Sequence, residues 1–389
     1  MTQVSQLFLG VWLMDQQAAH SFLASAAFGL EGVVAAELRR MGLSSKAEQG
    51  GARFDGSFAD AFRANLWLKA ADRVLLILAE KEVYSFEDLF RLVSSISWER
   101  LLTNDACFPV SGKCVRSRLM SVRDCQAIAK KAICSRLQKN DSPIRLPETG
   151  AMYPIDVSIY RDVARITLNM SGDALHRRGY RTWNGVAPLR ETLAAALVEL
   201  SPWRGDCPFY DPCCGTGTLL IEAAFIALQR APGLNRAFAC EGFHFMPKQA
   251  MSSLRQAAAA CTADYSANIF GSDLDPEALM LCDKHIRQAG LEGKIHTCLM
   301  DMRHVQRREA RGMFLANPPY GERLGDKQQC SGLYRALGDL ARRHPGWSVG
   351  VIAADPAFER FFGRRAQTKR RLYNGRLECE FFLFLPGKV

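Results

Sequence analysis

The chain lacks several features that would place it among membrane, secreted or zinc-binding proteins. None of its 389 residues belongs to an uninterrupted apolar stretch long enough to cross a bilayer. No Lys or Arg precedes the short apolar run at residues 7–14, which is therefore not typical of a secretory signal. The 13 cysteines include no Cys-x-x-Cys pair, and the Cys282/His285 and Cys240/His244 spacings have no second pair at zinc-site distance. We expect no metal and no membrane partner, and a reducing cytoplasm as the compartment.

The composition is that of a multidomain globular protein. Hydrophobic residues make up 48% and charged residues 23% of the chain, enough to build sizeable cores. A chain of 389 residues is long for one ordinary domain, so about two or three domains are expected.

The most informative motif is the tetrapeptide Asn317-Pro318-Pro319-Tyr320, which follows the apolar run at residues 313–316. A short apolar run that stops at Asn and two prolines predicts a buried strand ending at a rigid turn. The Asn side-chain oxygen and a proline carbonyl are acceptors for the two N–H groups of an exocyclic amine, and the Tyr ring offers a stacking face. These four residues are the predicted catalytic residues for methylation of such an amine. Taken alone, the motif is equally compatible with a stiff strand-to-loop turn.

A glycine turn lies upstream of this motif. Asp211 ends a short apolar stretch, and Gly215 and Gly217 precede the helical run at residues 219–228. In a strand–turn–helix unit of this kind the backbone approaches a nucleotide-like ligand closely. The turn lacks the third glycine of the dinucleotide fingerprint. An acidic residue ahead of two glycines suits a ligand with an ammonium group and no pyrophosphate, so the predicted cofactor is S-adenosylmethionine.

Two further acidic residues end apolar stretches. Asp273 is predicted to accept hydrogen bonds from ribose hydroxyls, and Asp301 is predicted to lie beside the adenine ring. Each on its own could instead be a helix N-cap or a turn residue. With Asp211 and Asn317 they form four polar strand ends in sequence order, which favours a ligand site at one edge of a sheet.

Basic residues are concentrated in two groups. The net charge of +10 and a pI of about 9.0 indicate a polyanionic partner or simply a basic soluble protein. One group surrounds a predicted helix: Lys113, Arg116, Arg118, Arg123, Lys130, Lys131, Arg136 and Lys139. The other lies among aromatic residues near the C-terminus: Arg360, Arg364, Arg365, Lys369, Arg370, Arg371 and Arg376. Cations mixed with aromatic residues suit phosphate contacts and base stacking, although either group alone could be a solvated face. With an amine-methylation motif in the same chain, nucleic acid is the favoured substrate.

The pattern of strands and helices changes near the middle of the chain. Before residue 171 it is α+β: helices at 30–41, 86–96 and 127–137, a strand at 74–79, and a hairpin of strands 155–160 and 165–170 turned near Arg161 and Asp162. After the boundary segment 171–181, strands and helices alternate, which predicts a Rossmann-like α/β domain with a mostly parallel sheet. No function is predicted for the insertion at residues 229–266.

The second half resembles the class I methyltransferases that act on exocyclic amines, through residues 211–218, Asp273 and residues 317–320. Three more segments narrow the resemblance to the THUMP-containing 23S rRNA guanine-N2 methyltransferases of bacteria: residues 175–181, 187–196 and 316–325. In the first half, residues 26–31, 65–67 and 125–133 are similar to the ferredoxin-like and THUMP regions of that family. Residues 1–20 precede the start of the periodic pattern near Ser21 and are expected to be an extension. The resemblance implies three further parts: a ferredoxin-like domain (21–63), a THUMP RNA-binding domain (64–170) and a class I methyltransferase domain (171–389).

The resemblance also implies roles for individual residues. Asp211, Gly215 and Gly217 would cradle the methionine part of the cofactor, with Thr192 closing over that end. Asp273 would hold the ribose and Asp301 the adenine side. Asn317, Pro318 and Tyr320 would orient the guanine. The residues expected to contact RNA are Lys113, Arg116, Arg118, Lys130, Lys131, Arg178, Arg181, Arg370 and Arg371.

The predicted function is therefore transfer of a methyl group from S-adenosylmethionine to the N2 amine of a guanosine in 23S rRNA or a large-subunit precursor. A tRNA guanine-N2 methyltransferase is one alternative, and a protein glutamine methyltransferase is another. The basic N-terminal half argues against a protein substrate but does not distinguish between RNAs. A third alternative, from a different class, is a catalytically inert RNA-binding factor for ribosome assembly, against which the intact Asp211, Gly215, Gly217 and Asn317 argue.

Overall fold

The computed structural model describes residues 19–138, 147–181, 189–261, 268–319 and 327–386, with the side chains of residues 327–329 set aside. Several sequence predictions lie wholly or partly outside these ranges: residues 1–18 of the extension, Lys139 of the first basic group, the proposed stacking residue Tyr320, residues 187–188 and 321–325 of the segments that carry the resemblance, and residues 262–266 of the insertion. Among the described residues, no helix combines the length and the apolar character needed to span a membrane.

The N-terminal half is built on one seven-stranded sheet in the order β2-β3-β1-β4-β7-β6-β5. Its strands are β1 His20–Ser25, β2 Ser45–Glu48, β3 Gly51–Gly56, β4 Arg73–Glu82, β5 Val110–Val115, β6 Ile155–Tyr160 and β7 Val163–Asn169. Its helices are α1 Glu31–Arg40, α2 Phe58–Trp67, α3 Phe86–Ser94, α4 Trp98–Leu101 and α5 Val122–Leu137. The unit β1-α1-β2-β3-α2-β4 has the strand order and the two helices of a ferredoxin-like fold, and β4 also pairs with β7, so the sheet runs on without a break.

Local sequence signals explain these elements. Ser57 and Ser85 each form a capping box, with Asp60 and Asp88 respectively. Helices α2 and α3 therefore begin at the residues directly after these serines. The predicted hairpin is confirmed: β6 and β7 pair in antiparallel fashion, and both Arg161 and Asp162 have a positive φ. Helix α5 begins five residues before the prediction, at Val122, because the Ser121 side chain caps it by accepting from the Asp124 N–H.

The C-terminal half is a second seven-stranded sheet in the order β10-β9-β8-β11-β12-β14-β13. Its strands are β8 Phe209–Asp211, β9 Ile269–Asp273, β10 Ile295–Leu299, β11 Gly312–Ala316, β12 Trp347–Ala353, β13 Thr368–Asn374 and β14 Leu377–Phe384. Its helices are α6 Glu191–Leu200, α7 Thr218–Ala227, α8 Lys248–Ala260, α9 Pro276–Gln288, α10 Lys327–Arg343 and α11 Phe358–Phe362. Strands β8 to β12 are parallel, which confirms the predicted α/β class, whereas β13 and β14 form an antiparallel hairpin at one edge.

The insertion between β8 and β9, for which the sequence suggested no role, joins the two halves. Phe245 packs on Phe58, with ring centroids 4.9 Å apart, and Phe238 meets Phe62 edge to face at 5.8 Å. Gly233 approaches so closely that a side chain there would run into the backbone of α2. This apolar seam fixes the N-terminal half against the methyltransferase-like half.

Two arginines predicted to contact RNA are instead buried in the linker between the halves. The Arg178 Nε lies 3.5 Å from Glu222 Oε1 on α7, and its Nη1 and Nη2 donate to the carbonyls of Leu175 and Lys69. The Tyr180 hydroxyl donates to the same Glu222 oxygen at 3.0 Å. The Arg181 side chain pairs with Glu191 at 3.4 Å and is only 10% exposed. These guanidinium groups are turned inward because a buried carboxylate requires a countercharge.

Breaking the buried pair is expected to cost more than breaking an exposed one. Glu222→Gln leaves the Arg178 charge buried without its counterion, so the free energy of unfolding should fall by about 3 kcal/mol. Adding Arg178→Met should recover part of that loss, because the unpaired charge is then gone. The control is Glu87→Gln, whose partner Arg91 is 73% exposed, and there we expect at most about 1 kcal/mol. Equal losses for Glu222→Gln and Glu87→Gln in urea denaturation would contradict this account.

Candidate functional site

The four polar strand ends lie at one edge of the C-terminal sheet. Asp211 ends β8, Asp273 ends β9, Asp301 follows β10 and Asn317 follows β11. The strand order reverses at β8, because β9 lies on one side of it and β11 on the other. Ligands of open α/β sheets bind at the carboxyl ends of the strands next to such a switch point. The predicted site residues therefore share the edge at which a ligand is expected.

The glycine turn joins β8 to α7. Gly215 and Gly217 have φ values of 51° and 84°, in the left-handed region that favours glycine. A methyl group on Gly215 would meet no atom of the described residues within 4 Å, so among these residues Gly215 borders open space. A methyl group on Gly217 would overlap the Cys282 sulfur, so the turn packs tightly onto α9 there. One side of the turn is thus open to a ligand and the other is closed.

Asp211 is a buried carboxyl at the base of this turn. Its residue is 1% exposed, and its Oδ1 accepts from the Cys213 N–H at 3.0 Å. Burial, with a smaller contribution from the charge of Asp273, raises the pKa of Asp211 well above its usual range. A cation placed beside it would favour the ionised form, so the position is suited to a positively charged group.

Asp273 holds the turn to the next strand. Its two carboxylate oxygens accept from the Gly215 N–H at 2.7 Å and from the Asp275 N–H at 3.0 Å. An ionised carboxylate has about four lone-pair positions, so capacity for ligand hydroxyls remains. Leu274, the next residue, is 62% exposed and offers an apolar surface on the same edge.

Asp301 caps a 3-10 turn. Its Oδ1 accepts from the Arg303 N–H at 2.8 Å, and its Oδ2 pairs with the Arg303 guanidinium at 3.2 Å. The capping alternative considered from the sequence is therefore present in the structure. Met300, just before it, is 37% exposed, and its N–H donates to the Asp273 carbonyl at 3.1 Å.

Asn317 has a buried acceptor with no hydrogen-bond partner. Strand β11 is buried throughout, and the chain leaves it at Asn317, followed by the buried Pro318 and the half-buried Pro319. The Asn317 Oδ1 is inaccessible to water and accepts no hydrogen bond from any residue that the structure describes. Leaving such an atom unsatisfied costs about 1–3 kcal/mol, so an orphan acceptor at a strand end calls for a functional explanation.

Thr192 lies farther toward the N-terminal half. Its hydroxyl, on α6, donates to Asp72 Oδ1 at 3.2 Å, and the residue is 3% exposed. Burial raises the pKa of Asp72, and this hydrogen bond and the charges of Arg190 and Arg73 oppose that rise. The structure thus shows Thr192 as part of the contact between the halves.

Two residues under the glycine turn were not recognised as site residues from the sequence. On α9, the His285 Nδ1 lies 3.1 Å from the Thr216 carbonyl, inside the turn, and Cys282 packs against Gly217. In the sequence their spacing of three residues is ligand-like, but it lacks a second pair at zinc-site distance. In the described part of the chain, no three His, Cys, Asp or Glu side chains are grouped to hold a metal ion. The spacing instead places both side chains on the helix face that supports the turn.

The remaining residues predicted to contact RNA are dispersed. Lys113, Arg116, Arg118 and Lys131 are exposed on or near β5 and α5, whereas Lys130 pairs with Glu148 at 2.7 Å. On β13, Arg370 donates to the Gly29 carbonyl at 3.0 Å, and Arg371 lies over the Phe28 ring at 5.1 Å. The C-terminal pair therefore contacts the N-terminal half, while the β5–α5 group forms an exposed basic face.

Comparisons with known proteins cover nearly the whole described chain. Residues 178–382 match the family model "RMKL-like, methyltransferase domain", residues 21–75 match "RlmL ferredoxin-like domain" and residues 83–169 match "THUMP domain".

Individual proteins are similar to this chain over nearly all of its own length. The "Putative RNA methyltransferase YpsC" of Bacillus subtilis is 38% identical over 368 residues, 94% of this chain and 96% of that protein. The "Ribosomal RNA large subunit methyltransferase K/L" of Syntrophotalea carbinolica is 34% identical over 384 residues, 93% of this chain and 53% of that protein. The crystal structure of "SMU.472, a putative methyltransferase complexed with SAH" superposes with a TM-score of 0.91 at 36% identity, covering 96% of this chain and 100% of that one.

The glycine turn makes a specific prediction about packing. Gly217→Ala should lower stability by about 2–3 kcal/mol, because an alanine there combines a strained φ with an overlap on Cys282. Gly42→Ala is the matched control: its φ of 80° is nearly the same, but a methyl group meets nothing within 4 Å, so only about 1 kcal/mol is expected. Adding Cys282→Gly to Gly217→Ala should reduce the part of the stability loss that exceeds the loss in Gly42→Ala. Thermal unfolding that shows equal losses at residues 217 and 42 would refute the overlap.

Proposed function

The chain belongs to the RMKL-like methyltransferase family, and from this premise we propose that it transfers the methyl group of S-adenosylmethionine to the exocyclic N2 amine of a guanosine in 23S rRNA. The observation that carries the proposal is the buried Oδ1 of Asn317 at the end of β11, which has no hydrogen-bond partner among the residues that the structure describes. An acceptor in that position is satisfied when an amine N–H of the substrate reaches it.

The residues around the glycine turn fit S-adenosylmethionine. The raised pKa of Asp211 indicates a carboxyl that gains from a nearby ammonium group, and the open space at Gly215 leaves room for the ligand. Asp211, Gly215 and Gly217 would hold the methionine part, and Thr192 would close over that end. Asp273 would hold the ribose, and Asp301 the adenine side. When bound, the cofactor supplies an electrophilic methyl group on a sulfonium. The related protein SMU.472 was crystallised with SAH, the demethylated form of that cofactor.

The chain's own residues then act by positioning. The Asn317 Oδ1 and the Pro318 carbonyl accept the two amine N–H groups and so direct the nitrogen lone pair toward the methyl donor. Pro318 and Pro319 keep this turn rigid, because each fixes its own φ. Tyr320, outside the described residues, would stack on the base. The guanine has to leave its stack to reach these groups, and alignment of the reacting atoms provides most of the acceleration.

Three observations support an RNA substrate. Residues 83–169 match the THUMP domain, the exposed cations of β5 and α5 form a basic face, and a relative is named for methylation of large-subunit ribosomal RNA. This chain matches only about half of that relative, so the choice of 23S rRNA belongs to the proposal. Bacterial ribosomal RNA is cytoplasmic, and we place the protein there with its substrate.

The deciding experiment is incubation with labelled S-adenosylmethionine and, separately, unmodified 23S rRNA, 16S rRNA and tRNA, followed by nucleoside mass spectrometry. N2-methylguanosine confined to 23S rRNA would support the proposal. N2-methylguanosine in tRNA would keep the chemistry and replace the substrate. N6-methyladenosine would overturn the choice of base. Bound cofactor without methylation of any RNA would favour a protein acceptor, whereas absence of cofactor binding would favour an inert assembly factor.

Asn317→Ala should abolish methyl transfer and leave the dissociation constant of S-adenosylmethionine within a few-fold of the wild-type value. The amide lies at the predicted amine-binding position, whereas the cofactor contacts are assigned to the ends of β8, β9 and β10. Methyl transfer is measured with the labelled cofactor, and binding by calorimetry. Asn65→Ala, which removes a buried amide in α2, controls for loss of fold alone. A comparable loss of cofactor affinity in Asn317→Ala would count against the assigned role.

Asp211→Asn should weaken cofactor binding by about 10-fold or more, because a neutral amide cannot balance an ammonium charge. The folded pKa of Asp211 is raised, so its contribution to the stability of the free protein is greatest at low pH and is lost as pH rises through that pKa. A bound ammonium group favours the ionised form of Asp211 and therefore lowers its pKa. In the wild type, cofactor binding should therefore release protons and weaken as pH falls through the raised pKa.

Calorimetry in buffers of different ionisation enthalpy measures the proton release, and the Asp211→Asn variant should lose it. At a pH above the raised pKa of Asp211, the same variant should be no less stable than the wild type, because it removes the cost of a buried charge. Unchanged proton release in Asp211→Asn would show that another group titrates.

A further inference from the structure

The loop between β1 and α1 lies against the hairpin of β13 and β14. The Arg370 guanidinium donates to the Gly29 carbonyl at 3.0 Å, and the Gly29 N–H donates to Glu31 Oε2 at 2.8 Å. Gly29 has a φ of 86°, and a methyl group there would lie 2.5 Å from the Arg371 carbonyl oxygen. The residue before Gly29 is thus held in place by the hairpin.

Phe28 is that residue, and its ring lies beside two side chains of β13. The Arg371 guanidinium lies over the Phe28 ring, 5.1 Å from its centroid, and the Tyr373 ring meets the Phe28 ring edge to face at 5.7 Å. We call these three residues the Phe28 platform. Phe28 is still 52% exposed and the Arg371 side chain 56% exposed. Both therefore keep accessible surface on which a further planar group can stack.

The hairpin that carries the platform is positively charged. Its residues 368–384 include four basic side chains and two acidic ones. One of the acidic residues, Glu378, accepts from the Tyr373 hydroxyl at 2.8 Å and lies 3.9 Å from the Arg371 guanidinium. An exposed ion pair of this kind contributes little, so it does not prevent Arg371 from contacting another anion. Arg376, at the turn of the hairpin, is also exposed. The surface suits a polyanion that carries planar groups.

Strand register places the platform at the same sheet edge as Asn317. Ala316, the residue before Asn317, pairs with Val351 on β12. Ala353, two residues later, is level with Arg371, because both pair with the same residue of β14. Three strand spacings separate β11 from β13, which corresponds to about 14 Å. A few linked nucleotides cover that distance.

We infer that the Phe28 platform binds a base of single-stranded RNA that lies close to the target guanosine in the chain, by stacking on Phe28 and Arg371. The identity of the target as guanosine rests on the proposed function, whereas the stacking rests on the platform alone. Aromatic rings and guanidinium planes both stack on bases. A guanine that leaves its stack also exposes its neighbours, so a surface that stacks one of them offsets part of that cost.

Binding of two short oligoribonucleotides to the full chain, followed by fluorescence anisotropy, tests the stacking directly. One carries a guanosine flanked by adenosines. The other carries the same guanosine flanked by abasic residues, so both have the same phosphate charge. The wild type should bind the first about 5-fold more tightly or better. Phe28→Leu should remove this preference, because leucine is apolar but has no ring, whereas Phe28→Trp should retain it. The dissociation constant of S-adenosylmethionine should stay within a few-fold of wild type in both variants.

The arginine is tested by salt dependence. Arg371→Gln should weaken binding of the adenosine-flanked oligoribonucleotide and reduce its salt slope by about 0.7, the loss of one contact to single-stranded RNA. Arg287→Gln is the matched control and should change neither. Arg287 is 66% exposed and lies 3.9 Å from Glu292, much as Arg371 lies from Glu378, but it is in the last turn of α9, away from the edge where that helix begins.

Equal affinities of the wild type for the two oligoribonucleotides, or no binding of either, would overturn the platform as a base-binding site. A dimer in sedimentation that Phe28→Leu dissociates would also overturn it, since the face would then contact a second copy of the chain. If Phe28→Leu leaves kcat/KM for N2-methylation of 23S rRNA unchanged, the platform is refuted and the proposed function stands. A preference that depends on Phe28, in a protein that methylates no guanosine, would uphold the platform and refute the proposed reaction.

Discussion

The buried ion pair between Arg178 and Glu222 is the constraint on which the arrangement of the two halves depends. A carboxylate with no exposed surface is tolerated only beside a countercharge, and here that charge comes from the linker. The same guanidinium donates to the Lys69 carbonyl in the N-terminal half. Helix α7, which begins at the glycine turn, is thereby tied to the opposite half of the molecule. One side chain thus contacts both the helix after the glycine turn and the N-terminal half.

The site keeps two polar groups in costly environments. Among the residues that the structure describes, no cation pairs with the buried Asp211 and no donor reaches the Asn317 Oδ1. In the free protein each of these groups lowers stability, because its polar atoms lack a suitable partner. A bound ligand that supplies the partner removes that cost. Arg178 and Glu222 differ from these two groups, because each of their charges faces an opposite charge within the chain. Asp211 and Asn317 are therefore candidates for ligand contact, whereas the Arg178–Glu222 pair has a structural role.

The sequence was enough to predict those parts of the site whose positions follow from the direction of the strands alone. Parallel strands end at a common edge, so Asp211, Asp273 and Asn317 could be grouped from their positions after apolar runs. Partners distant in sequence could not be foreseen. Nothing near Arg178 indicates that Glu222, 44 positions later, will face it, so a structural arginine was assigned to RNA. The support of the glycine turn by His285 was missed for the same reason.

The aromatic seam between Phe58 and Phe62 on α2 and Phe245 and Phe238 in the insertion has a consequence for evolution and for protein engineering. A methyltransferase half cut away from its partner would present these rings to water, and an exposed apolar patch promotes aggregation. The RNA-recognition half is therefore not an interchangeable module. Replacing the N-terminal half with one from another protein would also require replacing the insertion, because the aromatic surfaces of the two pack against each other.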